Sequence, residues 1–223
     1  YYTTPRSKEA NGSTRMKQSS NNRANLQTTA IDELLTSGRV VRWRWQSWKA
    51  GGKLTKVPLD RTGSYAASAK DPRNWLPPEA ALEIAVKQES LDGLGVSLYS
   101  SEGGVPHDLV ALDLDSCRDP TTGALVDWAQ VIVTRLDSYT EGTPSGTGVR
   151  VWCRATGVPE GKRRASIPNA TGTIEGKEPG IEYFRSKGYV TLTGEHLPGT
   201  PEIIEERTAE VLELYRTHFP EEP

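Results

Sequence analysis

Sulfur is scarce in this chain of 223 residues, which holds two cysteines and one methionine. Cys117 and Cys153 stand 36 positions apart with no C-x-x-C pair. They therefore indicate neither a disulfide framework nor a zinc site, and read as reduced structural thiols. Histidine is equally thin: His107, His196 and His218 form no H-x-H pair and no helical i, i+4 pair, which argues against a histidine-based rolling-circle nickase. No stretch approaches the 18 or so apolar residues of a membrane span, and Tyr1 to Asn25 lacks the apolar core of a signal peptide. The expectation is a soluble, cytoplasmic protein with no membrane contact. A large excess of either charge is missing too. The net charge of −2 excludes a uniformly basic nucleic-acid wrapper, while 35% apolar residues suffice for a real core.

Local charge is uneven. Residues 1–28 carry Arg6, Lys8, Arg15, Lys17 and Arg23 against Glu9 alone and show no hydrophobic period, so they read as a flexible basic arm. The absence of an initial Met suggests an excised piece. Residues 29–223 read as one domain, with two lobes at most. Ile31, Leu34 and Leu35 predict a short helix closed by Gly38. Alternation in Val40 to Trp45 predicts a strand with Val41, Trp43 and Trp45 on one face and Arg42 and Arg44 on the other. Gly51-Gly52 suggests a turn into a second strand over Leu54 to Leu59. From Arg39 to Trp75 nine Lys or Arg face two Asp, a local charge of +7.

Further on, Pro77-Pro78 predicts a helix through Lys87, and Gly95 to Tyr99 and Leu109 to Asp115 predict strands. Leu125, Trp128, Ala129, Ile132, Val133 and Leu136 form one helical apolar stripe. Strands are expected over Val149 to Arg154, Ile181 to Phe184 and Tyr189 to Thr193, and a final helix with Thr200 as N-cap and Pro201 at its first position. The class is mixed α/β.

Three groups of residues could carry chemistry. In Val110 to Asp115 the apolar residues take one face, leaving Asp113 and Asp115 together on the other. Hard oxygen ligands at that spacing suit Mg²⁺ or Mn²⁺, although an ordinary solvent-facing strand end has the same pattern. The stretch Tyr139 to Val151, a Gly- and hydroxyl-rich turn running straight into a strand, could cradle phosphates with its N–H groups and hydroxyls, or be a plain hairpin turn. Arg150 lies just beyond it, sharing a strand face with Trp152 and Arg154. Glu182, alternating away from Ile181 and Tyr183, supplies a third carboxylate. For strand binding, Arg42, Arg44, Trp48 and Arg154 offer cations and a stacking face, whereas Trp43 and Trp45 could equally fill the core.

Taken in order, the stretches VALDLDSC, SYTEGTPSGTGVRVW and IEYFRSKGYVTLTG resemble the archaeo-eukaryotic primase superfamily, in particular the primase-polymerase domains of phage and plasmid replication proteins. The resemblance spans roughly Val40 to Pro201. It implies an α/β (α+β), two-lobed fold with an RRM-like mixed or antiparallel catalytic sheet flanked by helices. It further implies a template-directed nucleotidyltransferase that joins dNTPs or NTPs on single-stranded DNA.

Carried over by residue, Asp113, Asp115 and Glu182 would be catalytic and hold Mg²⁺ or Mn²⁺. Ser145, Gly146 and Gly148 would contact the incoming triphosphate. The sequence departs from the family at the end of that second motif, where Arg150 replaces the usual His; a guanidinium could still clamp phosphate, assisted by Lys56 or Lys187. Replacing Asp113 by Ala is then expected to abolish synthesis and leave the fold intact. A helicase domain or partner is an expectation from the resemblance alone. Rival readings are a nuclease using Asp113 or Asp115 with Glu175-Gly176-Lys177, a D-x-D glycosyltransferase, and a non-catalytic single-strand-binding module.

Overall fold

A computed structural model of the chain describes residues 28–47, 52–88, 93–100, 107–170 and 178–220. The basic arm through residue 27, Trp48 with Gly51, and the segment 175–177 of the nuclease reading lie outside the described residues.

Thr28 opens the first helix, α1 (Thr29–Thr36), its hydroxyl accepting the Ile31 N–H at 3.3 Å. Gly38, at φ +67°, turns the chain into β1 (Val40–Gln46). There follow β2 (Thr55–Leu59), α2 (Pro78–Gln88), β3 (Leu94–Ser97), β4 (Leu109–Asp115), α3 (Asp127–Leu136), β5 (Thr140–Gly142) and β6 (Val149–Arg154). The chain continues with β7 (Gly161–Ser166), β8 (Gly180–Arg185), β9 (Tyr189–Thr191), β10 (Glu205–Glu206) and α4 (Thr208–His218).

The strands form two sheets. One has the order β2-β1-β3-β9 and the other β10-β6-β4-β8-β7, with β5 added alongside β6. Pairing is antiparallel except between β10 and β6. The smaller sheet curls until its edges approach, so that the Tyr189 hydroxyl on β9 donates to the Lys56 carbonyl on β2 at 2.5 Å. The architecture is the expected mixture of helices with mixed and antiparallel sheets.

Both faces of the larger sheet are covered, which follows from strict alternation along β4. Val110, Leu112 and Leu114 join Val149, Val151, Cys153, Ile181 and Tyr183 beneath α3 and α4, including Ile132, Leu136, Val211 and Leu214. On the opposite face Leu109, Ala111, Trp152 and Phe184 pack with α1 and the smaller sheet through Ile31, Leu34, Val40 and Leu98. Two residues further along β4, that second face carries Asp113 and Asp115.

The last helix differs from expectation. It begins at Thr208, not at Pro201 behind a Thr200 cap, because backbone pairing draws residues 202–206 into the body, with Glu205–Glu206 as the short strand β10. Glu202 accepts from the Ala30 N–H, Ile203 from the Tyr139 N–H, and β10 pairs with Cys153 and Arg154. Tertiary pairing overrides the Thr-Pro helix signal there. Trp43 is core, its indole donating to the Leu94 carbonyl at 2.8 Å, whereas Trp45 remains 48% exposed. Among the described residues no helix is long and apolar enough to cross a membrane.

Cys117 and Cys153 are free and buried, and burial pushes both thiols from 9.0 up to about 12. Above pH 9 the unfolded chain would release protons that the folded chain retains, so unfolding free energy should fall as pH rises from 9 toward 12. Urea unfolding across that range measures it, and replacing both cysteines by Ser or Ala should make the slope shallower, most clearly below pH 10, above which Tyr139, Tyr183 and Tyr189, whose hydroxyls burial also pushes up, add their own share. Native thiols should also resist a disulfide reagent at pH 8 and react once the chain is unfolded.

Candidate active site

The register of the larger sheet aligns charged residues in one row across five strands. Glu141 on β5 pairs with Arg150 on β6, Arg150 with Asp113 on β4, Asp113 with Glu182 on β8, and Glu182 with Arg164 on β7. Asp115 sits two residues along β4, opposite Gly180. Antiparallel register alone thus brings Glu182 to the same face as Asp113 and Asp115, which stand 69 and 67 positions before it in sequence.

Each carboxylate has a cation. Arg150 is 2% exposed and lays Nε and Nη2 on the two oxygens of Asp113, at 2.5 and 3.0 Å. Its Nη1 donates to the Thr191 carbonyl of the other sheet and lies 3.6 Å from Glu141. Burial works against the Arg150 charge, but the charge and hydrogen bonds of Asp113, with the charges of Glu141 and Asp115, together outweigh it and the guanidinium pKa is raised. Glu182 is held by Lys162 at 2.9 Å and Arg164 at 3.2 Å, and Arg164 also lies 3.8 Å from Asp115.

Asp115 has its pKa raised, first by burial and then by the like charges of Asp113 and Glu182. Lys56, reaching over from β2, feels Arg150 and all three carboxylates; burial, followed by Arg150, lowers its pKa. It also lies over the rings of Trp43 and Trp45.

The loop Thr143–Gly148 is a tight turn between β5 and β6. Gly146, at φ +75°, donates its N–H to the Thr143 carbonyl, and Thr143 donates to Gly148. The hydroxyls of Thr143, Ser145 and Thr147 form a chain at 3.1 Å steps, with Ser145 exposed. The N–H groups of Cys117 and Arg118 donate to the Thr147 carbonyl, which docks the loop on the chain just beyond Asp115. Gly148 is required by proximity: a Cβ there would lie 2.5 Å from the Leu114 carbonyl oxygen.

The structure does not gather every residue singled out from sequence. Lys187 is exposed in the turn between β8 and β9, at the Leu109 end of β4 and away from Asp115. Arg154 is tied between Glu33 at 2.6 Å and Asp108, joining α1 to the sheet. Arg42 and Arg44 donate to the carbonyls of Thr62 and Ser64, neutral acceptors that leave their charge uncompensated by those bonds.

Conversely, no local pattern singles out Lys162, Arg164 or Glu141. β7 reads Gly-Lys-Arg-Arg-Ala-Ser, with too few apolar residues to signal a strand, and Glu141 sits in a three-residue strand beside a glycine-rich turn, too short to show a period. A cavity of about 450 Å³ beside Arg118, Thr122, Gln130 and Thr200 includes none of the three carboxylates, so its shape does not mark the chemistry.

Donor chemistry suits a hard divalent cation, since three carboxylates share one face, and burial followed by the like charges of Asp113 and Glu182 raises the pKa of Asp115. As placed, among the described residues no three His, Cys, Asp or Glu side chains close around one point. Arg150 lies against Asp113, and Lys162 and Arg164 against Glu182.

No protein-family model matches the chain. Against curated proteins it is 30% identical over 162 residues, 73% of its own length, to a protein named DNA primase-polymerase from Nitratiruptor phage NrS-1. The chain is homologous to part of that phage primase-polymerase. The match takes in 20% of the relative, so the chain spans about a fifth of its length. The resemblance to primase-polymerases drawn from the three motifs thus has a phage relative behind it.

The buried ion pair adds a stability cost to the expected loss of synthesis in Asp113→Ala. Asp113→Ala takes from the buried Arg150 guanidinium its bidentate partner, leaving Glu141 as its remaining carboxylate, and should cost about 2–3 kcal/mol of stability. Asp113→Asn, which keeps one acceptor for the fork, should cost clearly less. Equilibrium urea unfolding compares the two, and equal losses would contradict the pairing.

Proposed function

We propose that this chain is the nucleotidyl-transferring part of a DNA primase-polymerase, joining nucleotides on a single-stranded DNA template. The observation that carries the reading is the cross-strand row of Asp113 and Glu182, with Asp115 beside them and Lys56 above. It stands in a chain similar to a protein of that name.

Asp113, Asp115 and Glu182 would hold Mg²⁺ or Mn²⁺. Bound there, the divalent cation would supply the charge that lowers the pKa of a primer 3′-hydroxyl and stabilises the departing pyrophosphate. The chain's own part is to position and neutralise. Ser145 and the turn at Gly146 to Gly148 would meet the triphosphate beside the Asp115 end of β4. Lys56, Lys162 and Arg164 already lie among the carboxylates. Turning from them to the nucleotide phosphates would keep the site near electrical balance.

The template strand would run over the basic surface flanking this row. The half-exposed Trp45, on the Lys56 face of β1, and Lys162 and Arg164 on the edge strand β7 would combine a stacking face with cations, while Arg42 and Arg44, on the opposite face of β1, would extend the basic surface outward. Arg154, engaged by Glu33 and Asp108, contributes to the fold instead.

Primer extension tests the reading. Single-stranded DNA, labelled nucleotides and Mn²⁺ or Mg²⁺ should yield products longer than the input, with an annealed primer or without one. Products should vanish with Asp115→Ala and Asp113→Asn. Normal synthesis by these variants would remove the carboxylates from the reaction. Strand binding without synthesis would favour a binding module, where Arg150 in place of the family's His already departs from the motif; shortened input would indicate a nuclease.

Single-strand binding should weaken steeply with added salt. Arg42→Ala with Arg44→Ala should lower affinity at low salt and flatten the logarithmic salt slope by roughly one for each phosphate no longer neutralised. An unchanged slope in a fluorescence-anisotropy titration would move the template path elsewhere.

A further inference from the structure

Arg150 and Glu141 form a buried charged pair to which the polymerase reading gives no task. Arg150 is 2% exposed and Glu141 not at all. The Glu141 carboxylate accepts from the Trp152 indole at 3.2 Å, from the Thr193 N–H and hydroxyl at 3.0 Å each, and from the Gly194 N–H at 2.8 Å. With its own position fixed, it faces Arg150 Nη1, which also donates to the Thr191 carbonyl.

The remaining two donors of the fork grip both oxygens of Asp113. Reaching a phosphate would require Arg150 to abandon two carboxylates of which one is wholly buried, and unpaired buried charge is costly. A fork of two parallel bonds fixes both the place and the rotation of a carboxylate, which a point charge cannot do.

We infer that Arg150 is a positioning residue that sets the Asp113 carboxylate for a divalent cation, with Glu141 as the buried anchor that keeps Arg150 in that role rather than on the nucleotide. The inference rests on the polymerase reading of the carboxylates. Charge without shape should therefore fail at position 150, and a change at position 141 should act through Arg150, not beside it.

The test takes the full chain with Arg150→Lys, Glu141→Gln and the double variant, each first checked for cooperative unfolding. Mn²⁺ affinity is read by electron paramagnetic resonance without DNA or nucleotide, and kcat and nucleotide KM by extension of an annealed primer. Arg150→Lys should weaken Mn²⁺ binding and lower kcat by about tenfold or more, with nucleotide KM held within about twofold.

Glu141→Gln should move both quantities in the same direction, and the double variant should be no worse than Arg150→Lys. A raised KM with unchanged kcat and Mn²⁺ affinity would make Arg150 a phosphate contact and overturn the inference. Wild-type values in Glu141→Gln would overturn the anchor. Should Arg150→Lys fail to fold, the near-isosteric Glu141→Gln carries the same split. If the unaltered chain binds Mn²⁺ but extends no primer, the polymerase reading falls while the Mn²⁺ affinities of the variants still decide the positioning. An unaltered chain that binds no Mn²⁺ overturns both.

Discussion

A guanidinium sealed from water dictates much of what surrounds it. Arg150 must find its partners inside the protein, and the cluster it makes draws on four strands: β6, which carries it, β4 with Asp113, β5 with Glu141 and β9 with the Thr191 carbonyl. The first three belong to the larger sheet and the last to the smaller one. One side chain therefore couples the two sheets at the place where the candidate site lies. Replacing such a cluster by apolar residues could be neutral for stability, but breaking one member is not. What the cluster secures is geometry.

That geometry is possible because the larger sheet is buried on both faces. Under α3 and α4 the residues Val110, Leu112 and Leu114 set the plane of β4 against a continuous apolar layer. On the other face Ala111, Trp152 and Phe184 continue the core as far as Asp113, where apolar packing gives way to charge. The carboxylates thus project from a strand whose neighbours on both sides are fully paired. Rigid elements hold functional groups more precisely than loops do.

Electrostatics around the row is nearly self-contained. Asp113, Asp115, Glu182 and Glu141 stand against Arg150, Lys56, Lys162 and Arg164. Their roles separate by burial. Arg150 and Glu141 are enclosed and fixed, while Lys162 and Arg164 lie on an exposed edge strand and Lys56 leans in from the other sheet. An arrangement with an immobile inner pair and adaptable outer cations suits a site that exchanges its internal counter-ions for a bound ligand.

Much of this is legible in the amino-acid order alone. Alternation in Val110 to Asp115 and Val149 to Arg154 assigns both central strands with their faces, since a period of two depends only on local backbone geometry. The apolar stripe through Leu136 marks α3 for the same local reason. Where long-range pairing decides the outcome, local signals fail: Glu205 and Glu206 join the sheet despite Thr200-Pro201, and β7 forms with scarcely an apolar residue because β8 offers it a partner.

By itself, then, the sequence determined which residues share a strand face, which helix stripe is apolar, and the ordered set of acidic and glycine motifs held in common with primase-polymerases. Only the tertiary structure decided that Asp113 faces both Arg150 and Glu182, that Lys187 and Arg154 lie apart from the carboxylates, and that Glu141 is buried behind them. Register and burial arise from pairing between segments dozens of residues apart, and no local period encodes them.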